Sequence, residues 1–218
     1  MSALRWLVPT LLWLVVGPAM ADRVDLGRFS RGETDGWQTR GFDDIPASDY
    51  ELVEKDGRRV LRGQCDDSAS VFGTEQRIDL ERTPYLHWSW QIDDVYADLD
   101  ERTRAGDDFP ARVYAVIDGG WRIWRTRAIN YVWASREPVG AAWPNPFKEQ
   151  AMMVVVESGT GGWQHEVRDV RADFREHFDR DTDHIDGIAL MVDCDNHGGR
   201  GRAWFGDIYL SDSPTRTH

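Results

Sequence analysis

The chain has 218 residues, with 26 Lys and Arg against 38 Asp and Glu, so its formal net charge is −12 at pH 7. A surface with this excess of negative charge repels nucleic acids and anionic lipids, and no basic stretch offsets it, which argues against nucleic-acid binding. The length is that of one domain with a substantial core.

The first 21 residues have the pattern of a cleaved secretory signal peptide. Arg5 supplies a positive charge, residues 6–16 are apolar, and Ala19 and Ala21 fit the small-x-small rule of signal peptidase. The apolar run is about half the length needed to cross a bilayer, so we expect no stable membrane span after cleavage. The sequence therefore predicts a mature chain, residues 22–218, that is periplasmic or secreted.

Short apolar or alternating runs, rich in Val, Ile, Tyr and Trp, predict about ten β-strands in the mature chain. They cover residues 50–53, 59–63, 75–80, 85–92, 111–118, 127–133, 152–157, 165–170, 185–193 and 203–210. Turn residues separate these runs, and no helix-length pattern alternates with them. This arrangement indicates an all-β fold, either an antiparallel sandwich or a barrel.

One segment has the period of a helix. Val170, Phe174 and Phe178 are four residues apart, and Asp169 before them is a suitable N-cap, so we predict one short helix near residues 170–178. Residues 93–108 are charged and lack an apolar period, which predicts a long surface loop. There is no internal repeat and no linker, so residues 22–218 are predicted to form a single β-sandwich domain.

The predicted strand over 111–118 places Arg112 and Tyr114 on one face and apolar residues on the other. We therefore expect Arg112 on a solvent-facing or groove face, where Asp107 and Asp108 at the start of the strand are available as partners. Charges on such a face are typical of a groove for uronic or acetylated sugars. They are equally typical of a solvated outer face with cross-strand ion pairs.

Tryptophan is unusually frequent, with 11 in the chain. Sugar rings stack on aromatic faces, so an exposed tryptophan is a candidate for glycan binding. Trp88 and Trp90 share a strand face with Ile92, which indicates a core stripe instead. Trp143, in the loop sequence AAWPNPF, is the best candidate for an exposed stacking residue, and Trp133 is a second candidate.

Cys65 and Cys194 are the two cysteines of the chain. In an oxidising compartment a pair of cysteines is more often bridged than free, so the sequence predicts a disulfide, with two separate buried thiols as the alternative. A bridge would also gather the aspartates that flank both cysteines, Asp66, Asp67, Asp193 and Asp195. These carboxylates would need compensation by a cation or by Arg200 and Arg202.

The segment that follows Cys194 resembles part of a calcium loop. Asp193, Asp195 and Asn196 offer oxygen ligands, but His197 and Trp204 stand where an EF-hand requires oxygen donors. We therefore predict a structural loop between the last two strands. A structural calcium bound by Asp193, Asp195 and Asn196 is the alternative, and no zinc-ligand spacing is present.

Catalysis is a second alternative, because residues of suitable type lie on the predicted strands. Glu157 paired with Glu166 or with Asp108 would supply the two carboxylates of a glycoside hydrolase. His87 and Tyr114, beside an arginine, are of the right types for a polysaccharide lyase. The sequence contains no nucleophile elbow, phosphate loop or dinucleotide fingerprint.

The order of several blocks resembles the bacterial secreted family catalogued as domain of unknown function 3047. These blocks are GDDFPARVYAVI (106–117), RAINYVW (127–133), WPNPF (143–147), VVVESG (154–159), WQHEVRDVRADFREHF (163–178) and MVDCDNHG (191–198). More remotely, GRFSRGETDGWQ near the start and WFGDIYL near the end are similar to the first and last strands of jelly-roll carbohydrate-binding modules. This likeness implies a jelly-roll-like antiparallel β-sandwich in which the first strand lies near the last.

Together these observations favour a protein that binds a glycan or another cell-envelope component through Arg112, Tyr114, Trp133 and Trp143. A polysaccharide lyase or glycoside hydrolase and a structural or protein-partner module are the two competing hypotheses.

Overall fold

The computed structural model describes residues 22–118 and 126–216. The predicted signal peptide, residues 1–21, lies outside the described residues, as do Trp121 and Trp124. The strands of the described part are β1 (Arg23–Gly27), β2 (Trp37–Gly41), β3 (Asp49–Lys55), β4 (Arg58–Asp66), β5 (Ser70–Asp79), β6 (Tyr85–Ile92), β7 (Ala111–Ile117), β8 (Arg127–Ala134), β9 (Ala142–Pro144), β10 (Ala151–Ser158), β11 (Gln164–Asp169), β12 (His184–Met191), β13 (Arg200–Phe205) and β14 (Ile208–Ser211). One α-helix, α1 (Val170–Phe178), follows β11. No helix in this part of the chain has the length and apolar character needed to span a membrane.

The strands form two seven-stranded sheets. Sheet I has the order β1-β14-β6-β13-β4-β3, with β11 on the other edge of β6, and sheet II has the order β2-β5-β12-β7-β8-β10-β9. The pairing of β8 with β10 is parallel, while the neighbouring pairs β7–β8 and β9–β10 are antiparallel. The first strand, β1, pairs with the last, β14, so the predicted jelly-roll-like antiparallel sandwich is confirmed.

The predicted strands are largely correct, and β6 has the predicted bounds. The run 203–210 is instead two strands, because the chain bulges at Gly206 and Asp207. A Cβ on Gly206 would lie 2.2 Å from the Ser89 hydroxyl oxygen, so a larger residue here would require the Ser89 side chain to move. The edge strands β1, β2 and β9 were not predicted, since the first two are mostly polar or partly exposed and the third has three residues.

The core lies between the two sheets. Trp88 and Trp90 are 2% and 0% exposed and meet edge to face, which confirms the predicted core stripe on β6. Trp133 on β8 faces them from sheet II, with its ring centroid 5.6 Å from that of Trp90. Its indole nitrogen donates to the Gly159 carbonyl at 2.6 Å, so the polar end of a buried ring is satisfied. Trp133 is therefore a core residue and not an exposed stacking residue.

The predicted helix is confirmed at both ends. The Asp169 carboxylate accepts the backbone N–H of Ala172 at 2.9 Å, which is the expected N-cap bond. Val170 and Phe174 are fully buried, so one face of α1 packs on the sandwich.

The predicted surface loop, residues 93–108, is correct only in part. It lacks strands, but Tyr96, Glu101, Asp107 and Asp108 are buried within it. The Glu101 carboxylate accepts three successive backbone N–H groups, those of residues 135–137, at 2.6 to 3.2 Å. These charge-assisted bonds hold the loop against the end of sheet II.

Candidate functional site

A cleft of about 450 Å³ opens on the outer face of sheet II, and we call it the sheet II cleft. Its base comprises Arg112, Tyr114, Asn130 and Met191, Asp193 and Asn145 border it, and Phe42 and Phe147 stand at its rim. The size is within the range of small-molecule sites.

Strand alternation places the base residues together. Arg112 and Tyr114 lie on β7, on the face opposite the buried Val113, as the sequence predicts. Across the ladder Tyr114 is paired with Asn130 of β8, and Arg112 is paired with Met191 of β12. Directly paired residues share a face, so three strands contribute to one polar patch.

Of the two predicted positions for Arg112, the structure has the groove face: the side chain lines the cleft and pairs with the predicted partner Asp107, but it is 2% exposed and so does not face solvent. Its Nε donates to Asp193 Oδ1 at 2.8 Å, its Nη2 contacts the other oxygen of Asp193, and Nη2 also donates to the Asp107 carbonyl at 2.5 Å. The guanidinium lies 4.6 Å from the centre of the Phe109 ring. The side chain is therefore enclosed by the buried loop before β7 and by Asp193, which lies two residues after the end of β12.

The charges of this pair support each other. Burial lowers the pKa of Arg112, but the charge of Asp193 raises it by more. The pKa of Arg112 therefore lies well above its ordinary value. Burial also raises the pKa of Asp193, and the Arg112 guanidinium opposes that rise. Because the arginine stays protonated, its charge is a permanent feature of the base of the cleft.

The base of the cleft also holds hydrogen-bonding capacity that the protein does not use. Asn130 is 1% exposed, and its Oδ1 has no hydrogen-bond partner among the described residues. Its Nδ2 donates to the Met153 thioether and the Tyr114 hydroxyl donates to the Met191 thioether, both at 3.2 Å, and the two side chains are also close enough to share a hydrogen bond. Thioethers are weak acceptors, so the O–H donor of Tyr114, like Asn130 Oδ1, is available for a ligand. Burial raises the pKa of Tyr114 to about 12, which keeps it a neutral hydroxyl.

The exposed aromatic residues are not the predicted ones. Trp143 is 6% exposed, because β9 pairs with β10 at the sheet edge and lays this ring beside Phe109, with ring centroids 6.4 Å apart. The predicted stacking role of Trp143 does not fit this burial. Phe147, four residues later, is 53% exposed, and Phe42 is 45% exposed.

A turn holds Phe147 at the rim. Asn145 Oδ1 accepts the backbone N–H groups of Phe147 and Lys148, both at 3.0 Å. Its Nδ2 donates to Asp107 at 2.8 Å, so this turn is tied to the loop before β7. Sequence reasoning missed Phe147 and Asn130, although a polar residue inside the apolar run RAINYVW was a usable signal.

The four catalytic candidates lie in three separate places. Glu157 and Glu166 meet at the edge of the sandwich, between the sheets, where they are close enough to share a hydrogen bond. His87 lies on the outer face of sheet I, and Tyr114 lies on the outer face of sheet II. The structure therefore brings Glu157 and Glu166 together, while His87 and Tyr114 lie apart from them and from each other.

The glutamate pair has an altered acidity. Burial, followed by the charge of Glu157, raises the pKa of Glu166 to about 7. Trp90 Nε1 donates to the same carboxylate at 3.2 Å. Direct contact is closer than the separation of roughly 5–10 Å that glycosidases use, so the pair as placed cannot flank a glycosidic bond.

The predicted disulfide is present, with the Cα atoms of Cys65 and Cys194 6.0 Å apart. It links β4 of sheet I to the segment after β12 of sheet II. The flanking aspartates do not form one cluster. Asp66 pairs with Arg200 at 3.0 Å, while Asp67 accepts the backbone N–H of Gly199.

The acidic group that does form contains Asp108, Asp193 and Asp195, whose carboxylate oxygens lie within 4.8 Å of one another. Asp108 accepts His197 Nδ1 at 2.7 Å and the backbone N–H of His197 at 2.6 Å. The predicted third ligand, Asn196, donates its amide to Asp195 at 3.0 Å. Arg112 thus supplies a counter-charge and His197 donates hydrogen bonds to Asp108, while the alternative of a structural calcium stays untested.

The two stacked sheets define a jelly-roll-like sandwich, a fold that is also present in a solved carbohydrate-binding module. A family 30 carbohydrate-binding module of a Clostridium thermocellum cellulosomal cellulase has this fold, with a TM-score of 0.51 and 11% identity over 88% of this chain and 99% of that one. The sequence model of the family described as protein of unknown function (DUF3047) matches residues 35–209, and the chain belongs to that family.

Two further structures are similar at lower scores. The xyloglucanase domain of a type three effector from Sinorhizobium fredii has a TM-score of 0.46 and 10% identity over 89% of this chain and 99% of that one. A cellulose-induced protein has a TM-score of 0.47 and 13% identity over 89% and 98%. A comparison with curated proteins finds no match.

Proposed function

We propose that the protein binds a glycan chain in the sheet II cleft. The observation that carries this proposal is a buried polar base below two exposed phenylalanine rings. In this base Asn130 Oδ1 lacks a partner among the described residues, and the Tyr114 hydroxyl donates only to a thioether. A sugar ring needs both features, because its hydroxyls seek polar partners and its C–H faces pack on aromatic rings. The fold shared with a carbohydrate-binding module is consistent with this function.

The polar groups have defined roles in this proposal. Asn130 Oδ1 accepts a sugar hydroxyl, which removes the cost of about 1–3 kcal/mol for leaving a buried acceptor unpaired. The Tyr114 hydroxyl exchanges its weak contact with Met191 for a hydroxyl of the ligand. Arg112 does not reach out to the ligand as a mobile side chain. Fixed by ion pairs with Asp193 and Asp107, it holds the base of the cleft in place.

The aromatic contact is assigned to Phe147 and Phe42 in place of Trp143. Both rings are exposed and line the cleft, whereas Trp143 packs against the sheet. Exposed apolar rings beside a polar pocket are typical of recognition surfaces, since a ligand removes them from water.

The same proposal places the protein in the periplasm or outside the cell. The leader-like segment 1–21 and the disulfide both favour an oxidising, extracytoplasmic compartment. Amino-terminal sequencing of the protein recovered from a cell-envelope fraction should begin at Asp22. A mature chain that retains Met1 in the cytosol would contradict this localisation.

The binding test is a glycan array followed by calorimetry on the best ligand. Phe147→Ala should weaken binding about tenfold or more, which corresponds to about 1.4 kcal/mol. Tyr114→Phe, which removes one neutral hydrogen bond, should weaken it by about 2- to 10-fold. Val139→Ala is the matched control, because Val139 is 62% exposed and does not line the cleft.

Three outcomes would count against the proposal. Affinity that survives both cleft substitutions would place the site elsewhere, and no binding to any glycan would remove the function. Release of reducing ends or of unsaturated sugars from the bound glycan would instead favour the hydrolase or lyase hypothesis.

A further inference from the structure

A second cleft, of about 410 Å³, lies on the outer face of sheet I, and we call it the sheet I cleft. It differs from the rest of this acidic protein in its charge. The basic side chains that line it are Arg23, Arg58, Arg59, Arg216, His87 and His165, and the one carboxylate among the lining residues is Asp207. A strongly positive concavity on a chain with a formal net charge of −12 requires an explanation.

The single carboxylate of the cleft is already used. Asp207, at the bulge between β13 and β14, accepts the backbone N–H of Ser30 at 2.7 Å and the Ser30 hydroxyl at 2.6 Å. These bonds tie the start of the chain to the bulge. Asp207 therefore has a structural role and does not form an ion pair with any of the arginines in the described residues.

Two of the arginines lack an acidic partner. In the described ranges, 22–118 and 126–216, no salt bridge joins Arg58 or Arg216 to a carboxylate. The Arg58 guanidinium lies 4.0 Å from the centre of the Trp163 ring, and Arg216 contacts His165 Nδ1. Cation–π and imidazole contacts orient these groups but leave their charge uncompensated.

The other two arginines have acidic partners that lie outside the cleft lining. Arg23 binds Asp25 at 2.7 Å and stacks 3.6 Å over the ring of Tyr209, and Arg59 lies 3.4 Å from Glu54. They are held in place at the walls of the cleft.

A buried imidazole contributes an unused polar atom. His87 is 2% exposed, and its Nε2 contacts the Ser211 hydroxyl at 2.8 Å and the Ser213 carbonyl at 3.0 Å. Its Nδ1 has no partner among the described residues, and the ring stacks on Tyr209 with centroids 4.5 Å apart. A buried nitrogen without a partner is costly unless a ligand or water reaches it.

The positive potential also acts on both histidines. Burial lowers the pKa of His87, and Arg23 and Arg216 lower it further. Burial likewise lowers the pKa of His165, with Arg216 and Arg58 adding to the effect. The arginines are thus close enough to disfavour a further positive charge, and the same field favours an anion.

We propose that the sheet I cleft binds an oxyanion group, a carboxylate, sulfate or phosphate, carried by an acidic carbohydrate. Guanidinium groups match the geometry of oxyanions and can bind them through two parallel hydrogen bonds. The cleft has the volume of roughly a dozen waters at about 30 Å³ each, which is more than one free oxyanion fills. The cleft therefore has room for more than an isolated ion, and the proposal assigns that room to the sugar that carries the oxyanion.

This site is independent of the sheet II cleft, because the two clefts lie on opposite outer faces of the sandwich. Loss of one leaves the other intact, so each proposal can fail separately.

The test is calorimetry on the full mature chain at low ionic strength. The probes are a galacturonate oligomer, a sulfated oligosaccharide, a neutral galactose oligomer and inorganic sulfate. The double variant Arg58→Gln/Arg216→Gln removes the two uncompensated charges, and both residues are exposed, so the fold is retained. Arg180→Gln is the control, since this exposed arginine does not line the cleft.

The charged oligomers should bind the wild type and lose at least tenfold in affinity in the double variant, with no change in Arg180→Gln. Binding should also weaken as salt rises, because added ions screen the charges. The proposal would be overturned if the double variant weakened the neutral oligomer as much as the charged ones, if it left the affinity for the charged oligomers unchanged, or if no charged oligomer bound. Inorganic sulfate that binds as tightly as the oligomers would show a free-ion site and refute the carbohydrate assignment.

Discussion

Reduction of the Cys65–Cys194 disulfide should remove a large part of the stability of this protein. The two residues are 129 positions apart in sequence, and the bond joins the end of β4 in sheet I to the segment after β12 in sheet II. In the chain-entropy model, closing a loop of this length costs the unfolded chain about 17 cal/mol/K, which is about 5 kcal/mol at 25 °C. Small domains are stable by about 5–15 kcal/mol in total, so reduction should shift the unfolding midpoint strongly.

The assay is urea denaturation of the same chain with the disulfide intact and after reduction in the unfolded state. We expect a decrease in the free energy of unfolding of up to about 5 kcal/mol, and the variant Cys65→Ala/Cys194→Ala should behave like the reduced protein. Thiol titration of the unfolded, unreduced protein should find no free thiol. Two free thiols, or equal unfolding midpoints for the oxidised and reduced chains, would refute the loop-closure reasoning.

Three further predictions concern single side chains. The raised pKa of Glu166, about 7 in the fold, means that the folded state binds a proton more tightly than the unfolded state, so stability falls as pH rises from about 4.5 to 7. Glu166→Gln should therefore stabilise the protein at pH 8 by about 1–2 kcal/mol after allowance for solvent screening, with no gain in stability at pH 4. The measurement is urea denaturation at both pH values, and Glu149→Gln, at an exposed position, should change the stability at neither pH. We expect millimolar calcium to leave the melting temperature unchanged, because Arg112 already forms an ion pair with Asp193 and His197 already hydrogen-bonds Asp108 in the acidic group. A rise in melting temperature that is lost in Asp195→Ala would contradict this. Asp169→Ala should destabilise the protein by about 1 kcal/mol, because it removes the N-cap hydrogen bond of α1, while Asp169→Asn should retain most of the stability. Equal melting temperatures for the wild type and Asp169→Ala would count against a stabilising cap.

The sequence by itself determined the features that depend on local periodicity. Alternation of apolar residues defines the strand faces, so the core position of Trp88 and Trp90 and the shared face of Arg112 and Tyr114 were predictable. The four-residue spacing and the capping aspartate located α1 for the same reason. The disulfide followed from the count of cysteines together with the predicted compartment, which needs no coordinates.

Only the tertiary structure decided which side chains are exposed. Alternation states that Arg112 points out of the core, but the loop before β7 and Asp193 after β12 bury it. Trp143 and Phe147 both lie in AAWPNPF, and the pairing of β9 with β10 covers the first and leaves the second exposed. Burial depends on which distant segment covers a face, and local sequence carries no record of that.

Both clefts also depend on the order of strands within the sheets. The base of the sheet II cleft combines β7, β8 and β12, and the sheet I cleft combines β1, β4, β6 and β14 with residues near the end of the described chain. These strands are neighbours in space, but several of them are far apart in sequence. Periodicity therefore predicts the strand face on which each side chain lies, but not which strands lie next to one another. The long-range strand pairing of the sandwich decides that, because it sets which side chains become neighbours.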